Sequence, residues 1–389
     1  MRRIGVDERR ARLGVRHGLA GPQPGGPAEA ARGVVVLHAT DPASVVLSVQ
    51  ARTGPSVDVA AVERALYDER SMLRMLGMRR TMFVVPVEQA AVVQAACTNA
   101  VAAQQRRTYT RFIVDAGLGD EAWIKDVAES TVRALASRGA ATGAQLSADE
   151  PRLRSQVQMA PGKAYGGPQS ITTWVLFMLA AEGRIVRGRP RGSWISSQWT
   201  WSPAANWLPG GVPQLPADAA RVELVRHWLA AFGPGTAADI KWWTGWTVAQ
   251  VKAALAALRP VEVDLDGVPG VMLPDDVEPT PTPPPWVALL PALDPTAMGW
   301  TRREWYLGGH GPTLFDRNGN VGPTVWSDGR IIGGWAQRAD GEIVYRLLED
   351  VGGETRTAVD AAAARLAAWI GPVRVLPRFR TPLERELTG

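Results

Sequence analysis

The strongest constraint on this chain is an order of elements that it repeats. Between Arg221 and Pro274, RVELVRHWLAAFG reads as an amphipathic helix stopped by Gly233-Pro234. TAADIKWWTGWT follows, with Thr236 as N-cap, a short helix and a turn at Thr244-Gly245. TVAQVKAALAALR then opens on the cap Thr247 and sets Val248, Val251, Leu255 and Leu258 at helical spacing. VEVDLDGVPGVMLP alternates as a strand, turns at Asp266-Gly267 and returns. Helix, short helix, tight turn, helix and hairpin is the order of a winged helix.

A weaker copy lies upstream. Gly139 to Leu146 aligns with Gly233 to Ile240 as G-x-x-T-x-A-x-aliphatic, and a long helix, EAWIKDVAESTVRALASRG, precedes it. The helix SITTWVLFMLAAEG and the hairpin RIVRGRPRGSWISSQWTW come after. Nearer the N-terminus, VDVAAVERALYDER reads as a helix and SMLRMLGMRRTMFVVP as two strands around a turn at Gly77 to Arg80. The pattern predicts an α+β fold in which three tandem winged-helix units form a curved scaffold. Their bounds are 1–105 with a basic N-terminal helix, 106–214 with the Arg/Trp hairpin, and 215–277.

EPTPTPPP, at 278–285, excludes helix and central strand and reads as a semi-rigid linker. Beyond it, residues 286–389 carry hairpin turns at Asp328-Gly329 and Asp340-Gly341, the helix TRTAVDAAAARLAAWIG and a closing strand VRVLPRF. This predicts a β-rich, barrel-like C-terminal domain.

A formal net charge of +5 is thin over 389 residues, so its placement matters more than its size. Arg2, Arg3, Arg9, Arg10, Arg12 and Arg16 form one group; Arg184, Arg187, Arg189 and Arg191 form another. A winged helix brings its third helix to the major groove and its hairpin to the backbone or minor groove, which calls for a basic hairpin. Arg187, Arg189 and Arg191 alternate along an extended strand and so share a face, with Trp194, Trp199 and Trp201 directly after. Lys241 precedes the turn of the third unit. The plainer reading places the tryptophans in the core under the hairpin. The third unit's recognition helix is Ala-rich and nearly uncharged, unsuited to reading bases, so its unit serves as scaffold.

One cysteine, Cys97, excludes an internal disulfide and a multi-cysteine metal site, and the histidines are scattered at His17, His38, His227 and His310. There is no P-loop, H-E-x-x-H or G-x-S-x-G motif. No metal or cofactor is expected. No apolar stretch reads as a signal peptide or membrane span and a lone cysteine suits a reducing cytosol, which predicts a cytoplasmic protein, nucleoid-associated through DNA; three repeats in one chain already supply a multi-contact DNA surface, which predicts a monomer. The segment that stands out is His38-Ala39-Thr40, followed by Asp41-Pro42. VVVLHATDPASVVLSVQART reads as an apolar helix, a break and a second helix, so His38 and Thr40 project from a helix end. The structural alternative is a helix-terminal His with Asp41 capping the next helix.

With these segments in view, the chain resembles the winged-helix DNA glycosylase superfamily of the AlkZ and YcaQ type. The resemblance is carried by ERRARLGVRHGLA, LHATDPASVVLSVQAR, GRIVRGRPRGSWISSQWTW, FGPGTAADIKWWTG, LLPALDP and NGNVGPTVWSDGRIIGGW. It implies a monofunctional DNA glycosylase that removes bulky N7-alkylated purines from double-stranded DNA, in self-resistance or crosslink repair. It further implies water attack at the sugar C1′ and a bulky adduct that stays in the groove. The family's catalytic Gln-aliphatic-Gln, or its variant ending in Asp, is matched here by His38-Ala39-Thr40, with neither glutamine present. His38 and Thr40 are the catalytic candidates. Arg187, Arg189, Arg191, Trp194 and Lys241 are the DNA-binding ones, with Arg10, Arg12, Asp294 and Arg330 weaker; Asp294 reads as a strand-end cap and Arg330 as a surface residue. The rival readings are a non-catalytic winged-helix DNA-binding protein and a Trp-rich binder of a planar small molecule.

Overall fold

Three threonines start three helices in the same way. Thr142, Thr236 and Thr247 each accept the N–H of the residue three positions on, and the side chains of Gln145, Asp239 and Gln250 return the bond to the cap. These capping boxes satisfy helix-end donors that would otherwise stay open, and they sit where the sequence repeat places them.

The computed structural model describes residues 1–159 and 166–389. Strand β1 (Arg2–Arg3) and helix α1 (Val6–Arg16) lead into α2 (Pro27–Gly33), β2 (Leu37–His38), α3 (Pro42–Thr53), α4 (Val59–Glu63) and the hairpin β3 (Met72–Leu76) and β4 (Met82–Pro86). Helices α5 (Ala90–Val93) and α6 (Asn99–Asp115) connect to α7 (Glu121–Arg138), α8 (Gly143–Asp149), a small hairpin β5 (Gln156–Met159) and β6 (Gly167–Ser170), α9 (Thr172–Ala181), and the hairpin β7 (Ile185–Pro190) and β8 (Trp199–Pro203). The third set is α10 (Ala217–Phe232), α11 (Ala237–Thr244), α12 (Val248–Leu258), β9 (Val261–Leu265) and β10 (Val268–Met272). The last segment holds β11 (Val287–Leu290), α13 (Glu304–Leu307), α14 (Gly311–Leu314), β12 (Thr324–Ser327), β13 (Arg330–Gln337), β14 (Ile343–Leu347), α15 (Gly352–Ile370) and α16 (Pro382–Thr388).

In each of the first three sets, a short extended piece after the first helix pairs with the return strand of the hairpin. Strand β2 pairs with β4, Ala141 bridges Trp201 of β8, and Gly235 bridges Val271 of β10. The fold is α+β, as the sequence predicts.

Five expectations are corrected. VRVLPRF, at 373–379, forms no closing strand. Val34 to His38 is not the end of a helix, because the chain turns there and enters β2. The upstream copy carries β5 and β6 inserted between its second and third helices. The Arg/Trp hairpin does not project freely: β7 pairs with β3 at Arg74–Arg187, fusing two hairpins into one sheet of order β2-β4-β3-β7-β8. The C-terminal sheet, of order β11-β12-β13-β14, is an open antiparallel meander and not a closed barrel. The Pro-rich segment 278–285 is largely exposed and without regular structure, as its composition requires.

The core is divided. One cluster runs from Leu13 to Leu387 and joins the first set, the third set, the C-terminal segment and, through Val186, Trp194 and Trp207, the Arg/Trp hairpin region. A second, from Ile113 to Ile185, belongs to the middle set. The sheet shared by the first and middle sets lies between them, and it carries His38. Among the described residues, no helix is long and apolar enough to cross a membrane and no group of metal-binding side chains is assembled.

Candidate active site

His38 is fixed by backbone pairing. It opposes Phe83 across the β2–β4 ladder, with the two rings edge to face at 5.4 Å, and the Ala39 N–H donates to the Met82 carbonyl at 2.9 Å. The chain leaves the sheet at Thr40, and Asp41 caps α3 by accepting the Ala43 N–H at 3.1 Å. From the C-terminal tail, the Arg378 N–H donates to the other Asp41 oxygen at 3.1 Å, and the Arg378 guanidinium reaches the Thr40 carbonyl at 3.3 Å. His38 and Thr40 are thus held at a strand-to-helix junction that both sides of the molecule clamp.

His38 lines two concavities. The larger, of about 660 Å³, is also lined by Thr40, Arg187, Arg378 and an apolar wall that includes Phe177, Trp201 and Phe379. The smaller, of about 450 Å³, brings His38 together with Arg79, Thr81, Trp242, Arg303 and Asn320. Among the described residues, no carboxylate lines either one. The walls supply positive charge, hydroxyls, an amide and one imidazole.

Burial, and then the charge of Arg79, lower the His38 pKa from 6.5 to about 4, so the imidazole is neutral near pH 7. The Thr40 N–H approaches Nδ1 at 3.5 Å, too long to fix the tautomer. A nitrogen lone pair is therefore available to a water. Burial, with added repulsion from Arg74 and Arg378, lowers the Arg187 pKa to about 10. Its Nε is buried without an acceptor, and its guanidinium lies 5.7 Å from the Trp199 ring and 5.9 Å from Trp201. A partly dehydrated guanidinium with no carboxylate partner among the described residues is well suited to take an incoming phosphate.

The structure gathers some of the candidates and scatters others. His38, Thr40 and Arg187 share the larger concavity. Arg189 does not follow Arg187, because a bulge between Arg187 and Pro190 breaks the alternation of β7. It pairs instead with Glu63 and Asp68 and covers Tyr67. Arg191 is exposed beyond the strand. Trp194 is buried in the larger core and is a packing residue, as the plainer reading had it. Lys241 is exposed on α11 and lines neither concavity; its neighbour Trp242 lines the smaller one. Arg10 donates to the Trp305 carbonyl and, with Arg330, lines a separate hollow, where Arg330 is bonded to Glu349. Arg12 is buried between Glu8 and Asp276. Asp294 is buried against Arg52.

Arg79, Arg80, Arg303, Arg378 and Asn320 were not singled out in the sequence. Arg79 and Arg80 form the β3–β4 turn, both in the left-handed region at φ 52° and 59°. Two non-glycine residues in succession there carry strain of order 1–3 kcal/mol each, which persists where the surroundings enforce it. The Gly77-Met-Arg-Arg turn was the available signal.

A family model described as "DNA glycosylase AlkZ-like" matches residues 31–369. No curated protein matches the chain. Among solved structures, the Streptomyces sahachiroi DNA glycosylase AlkZ superposes with a TM-score of 0.71, over 96% of this chain and 99% of that one, at 20% identity. At that identity the likeness speaks to the fold.

Proposed function

Because the chain belongs to the AlkZ-like DNA glycosylase family and is a DNA glycosylase, we propose that it hydrolyses the N-glycosidic bond of bulky N7-alkylated purines in duplex DNA. In this reading His38 and Thr40 place the attacking water. The observation that carries it is the make-up of the larger concavity: a neutral imidazole and a hydroxyl beside a broad apolar wall and arginines, with no carboxylate among its described lining residues.

A purine alkylated at N7 is already cationic and departs as a neutral base. It needs little protonation, so a site without an acid loses little on this substrate. What remains is to hold a water against C1′ as positive charge develops on the sugar, and positioning of this kind is worth several kcal/mol. Neutral His38 accepts a hydrogen bond from the water, and Thr40 Oγ1 supplies a second contact. With a pKa near 4, His38 is a weak base, suited to orienting water for a leaving group that is already activated. Arg187 and Arg378 hold the backbone, and Phe177, Trp201 and Phe379 receive a planar adduct.

The scaffold is read as three winged-helix units, supported by the recurring pairing of a short first strand with the hairpin's return strand. The units act as frame, and the reacting groups sit at the seam between the first two.

The test is single-turnover excision from duplexes that carry one N7-alkylguanine, either N7-methyl or with a polycyclic aromatic substituent, scored as alkali-labile abasic sites. The proposal expects faster release of the bulky adduct. Release confined to the methyl adduct, or to an undamaged base, overturns the substrate assignment.

A further inference from the structure

The smaller concavity contains a charge arrangement that placing a water does not require. The Arg79 guanidinium lies 4.4 Å from the centroid of the Trp242 ring, and that of Arg303 lies 4.8 Å from the same ring. Arg303 also packs 4.7 Å from Phe315 and donates from Nε to the Trp300 carbonyl at 3.1 Å. Neither arginine has a carboxylate within salt-bridge distance among the described residues. Burial, and then the charge of Arg303, lower the Arg79 pKa from the usual guanidinium value.

The backbone keeps this arrangement open. Arg79 is held at φ 52°, and the facing residue is Gly245, at φ 75°, where an added Cβ would lie 2.7 Å from Arg79 Cγ. A side chain at 245 would thus displace Arg79. Asn318 and Asn320 complete the rim, the Asn320 amide held by a bond it donates to Asp316 at 2.9 Å. Two like charges on one indole, with no carboxylate partner among the described residues, are a site complementary to an anion, and the guanidinium fork matches the oxygens of a phosphate.

We propose that the smaller concavity seats a backbone phosphate of the lesion-bearing strand, held between the guanidinium groups of Arg79 and Arg303. The assignment rests on the reading that the larger concavity takes the damaged nucleotide. His38 lines both hollows, so a strand with its lesion in one has a neighbouring linkage beside the other. A backbone phosphate is favoured over free phosphate by this shared residue.

The experiment uses a duplex with a tetrahydrofuran abasic analogue at the lesion position, in which one phosphate at a time is replaced by a neutral methylphosphonate. Affinity is measured by fluorescence anisotropy for wild type, Arg79→Gln and Arg303→Gln. Each variant is expected to bind the unmodified duplex roughly 10-fold or more weakly, with a salt slope shallower by about one. At one linkage the methylphosphonate weakens wild type similarly and weakens each single variant clearly less, while Arg79→Lys and Arg303→Lys recover part of the loss. Wild-type affinity in both glutamine variants, or additive losses at every linkage, overturns the proposal. The analogue has no base to excise, so this result is independent of whether His38 and Thr40 catalyse. Failure of the catalytic reading shows separately, as full excision by a His38→Ala, Thr40→Ala protein.

Discussion

Both terminal nitrogens of Arg52 donate to the Asp294 carboxylate at 2.8 Å, and neither side chain has any exposure to solvent. The Ser48 hydroxyl adds a bond to Asp294 at 2.7 Å, and Arg52 also donates to the Thr296 hydroxyl at 2.8 Å. Ser48 and Arg52 lie on α3, the helix that begins directly after His38-Ala39-Thr40. The pair therefore ties the active-site junction to the C-terminal segment. Burial disfavours the Asp294 charge, but Arg52 and the hydrogen bonds outweigh it and leave the carboxyl below its usual range.

Removing one member leaves the other charged and buried. Arg52→Ala is expected to lower stability by about 3–5 kcal/mol, read by denaturant unfolding. Replacing both, as Arg52→Met with Asp294→Leu, is expected to cost less than either single change.

The same network predicts a pH dependence. His17 is buried, its Nε2 facing the Ala231 carbonyl at 3.2 Å and its Nδ1 the Thr296 hydroxyl at 3.0 Å. The Ala231 carbonyl can only accept, so Nε2 carries the proton, and in the neutral imidazole Nδ1 accepts from the Thr296 hydroxyl. Burial first, then the charge of Arg52, lower the His17 pKa to about 3. The unfolded chain takes up this proton near pH 6.5 and the folded chain only near 3, so stability is complete above 6.5 and falls as the pH drops. From pH 6.5 to 4.5 the expected loss from this residue is about 2–3 kcal/mol. Unfolding free energies at the two values, in wild type and His17→Gln, test it; the variant should show the smaller drop.

Arg187 and Arg189 stand two residues apart and should behave differently. Arg187→Ala is expected to weaken binding to lesion-site duplex by roughly 10-fold and to flatten the salt dependence. Arg189→Ala releases exposed pairs with Glu63 and Asp68 and should keep near-wild-type affinity, at a stability cost below about 1 kcal/mol. Anisotropy titrations at several salt concentrations separate the two.

Phe177 forms part of the apolar wall. Phe177→Ala is expected to slow excision of a polycyclic N7 adduct about 10-fold, the loss of one aromatic contact, with little change for N7-methylguanine. Equal slowing of both contradicts the role given to the wall.

These contrasts show where the sequence was legible. Local rules placed the helices of the third set: Thr236 and Thr247 cap as their spacing predicts, and Asp266-Gly267 turns its hairpin. Asp294 does cap, accepting the Thr296 N–H at 2.9 Å, but its pairing with Arg52 spans 242 positions and leaves no local trace. Val34 to Leu37 reads as helix in the sequence because an apolar run this short carries no period; pairing with β4 decides it. The alternation of Arg187 and Arg189 predicts a shared face, but a one-residue bulge, invisible in an alternating pattern, turns Arg189 toward Glu63 and Asp68. Arg303 and Arg378 meet His38 only through tertiary packing, so no motif marked them.

The central claim is that His38 and Thr40 place the water that breaks the glycosidic bond. The most direct test compares wild type with a His38→Ala, Thr40→Ala protein on duplex carrying a bulky N7-alkylguanine, measuring affinity and single-turnover excision together. The account predicts near-wild-type affinity and excision slower by about 10²-fold or more. Excision at the wild-type rate would contradict it.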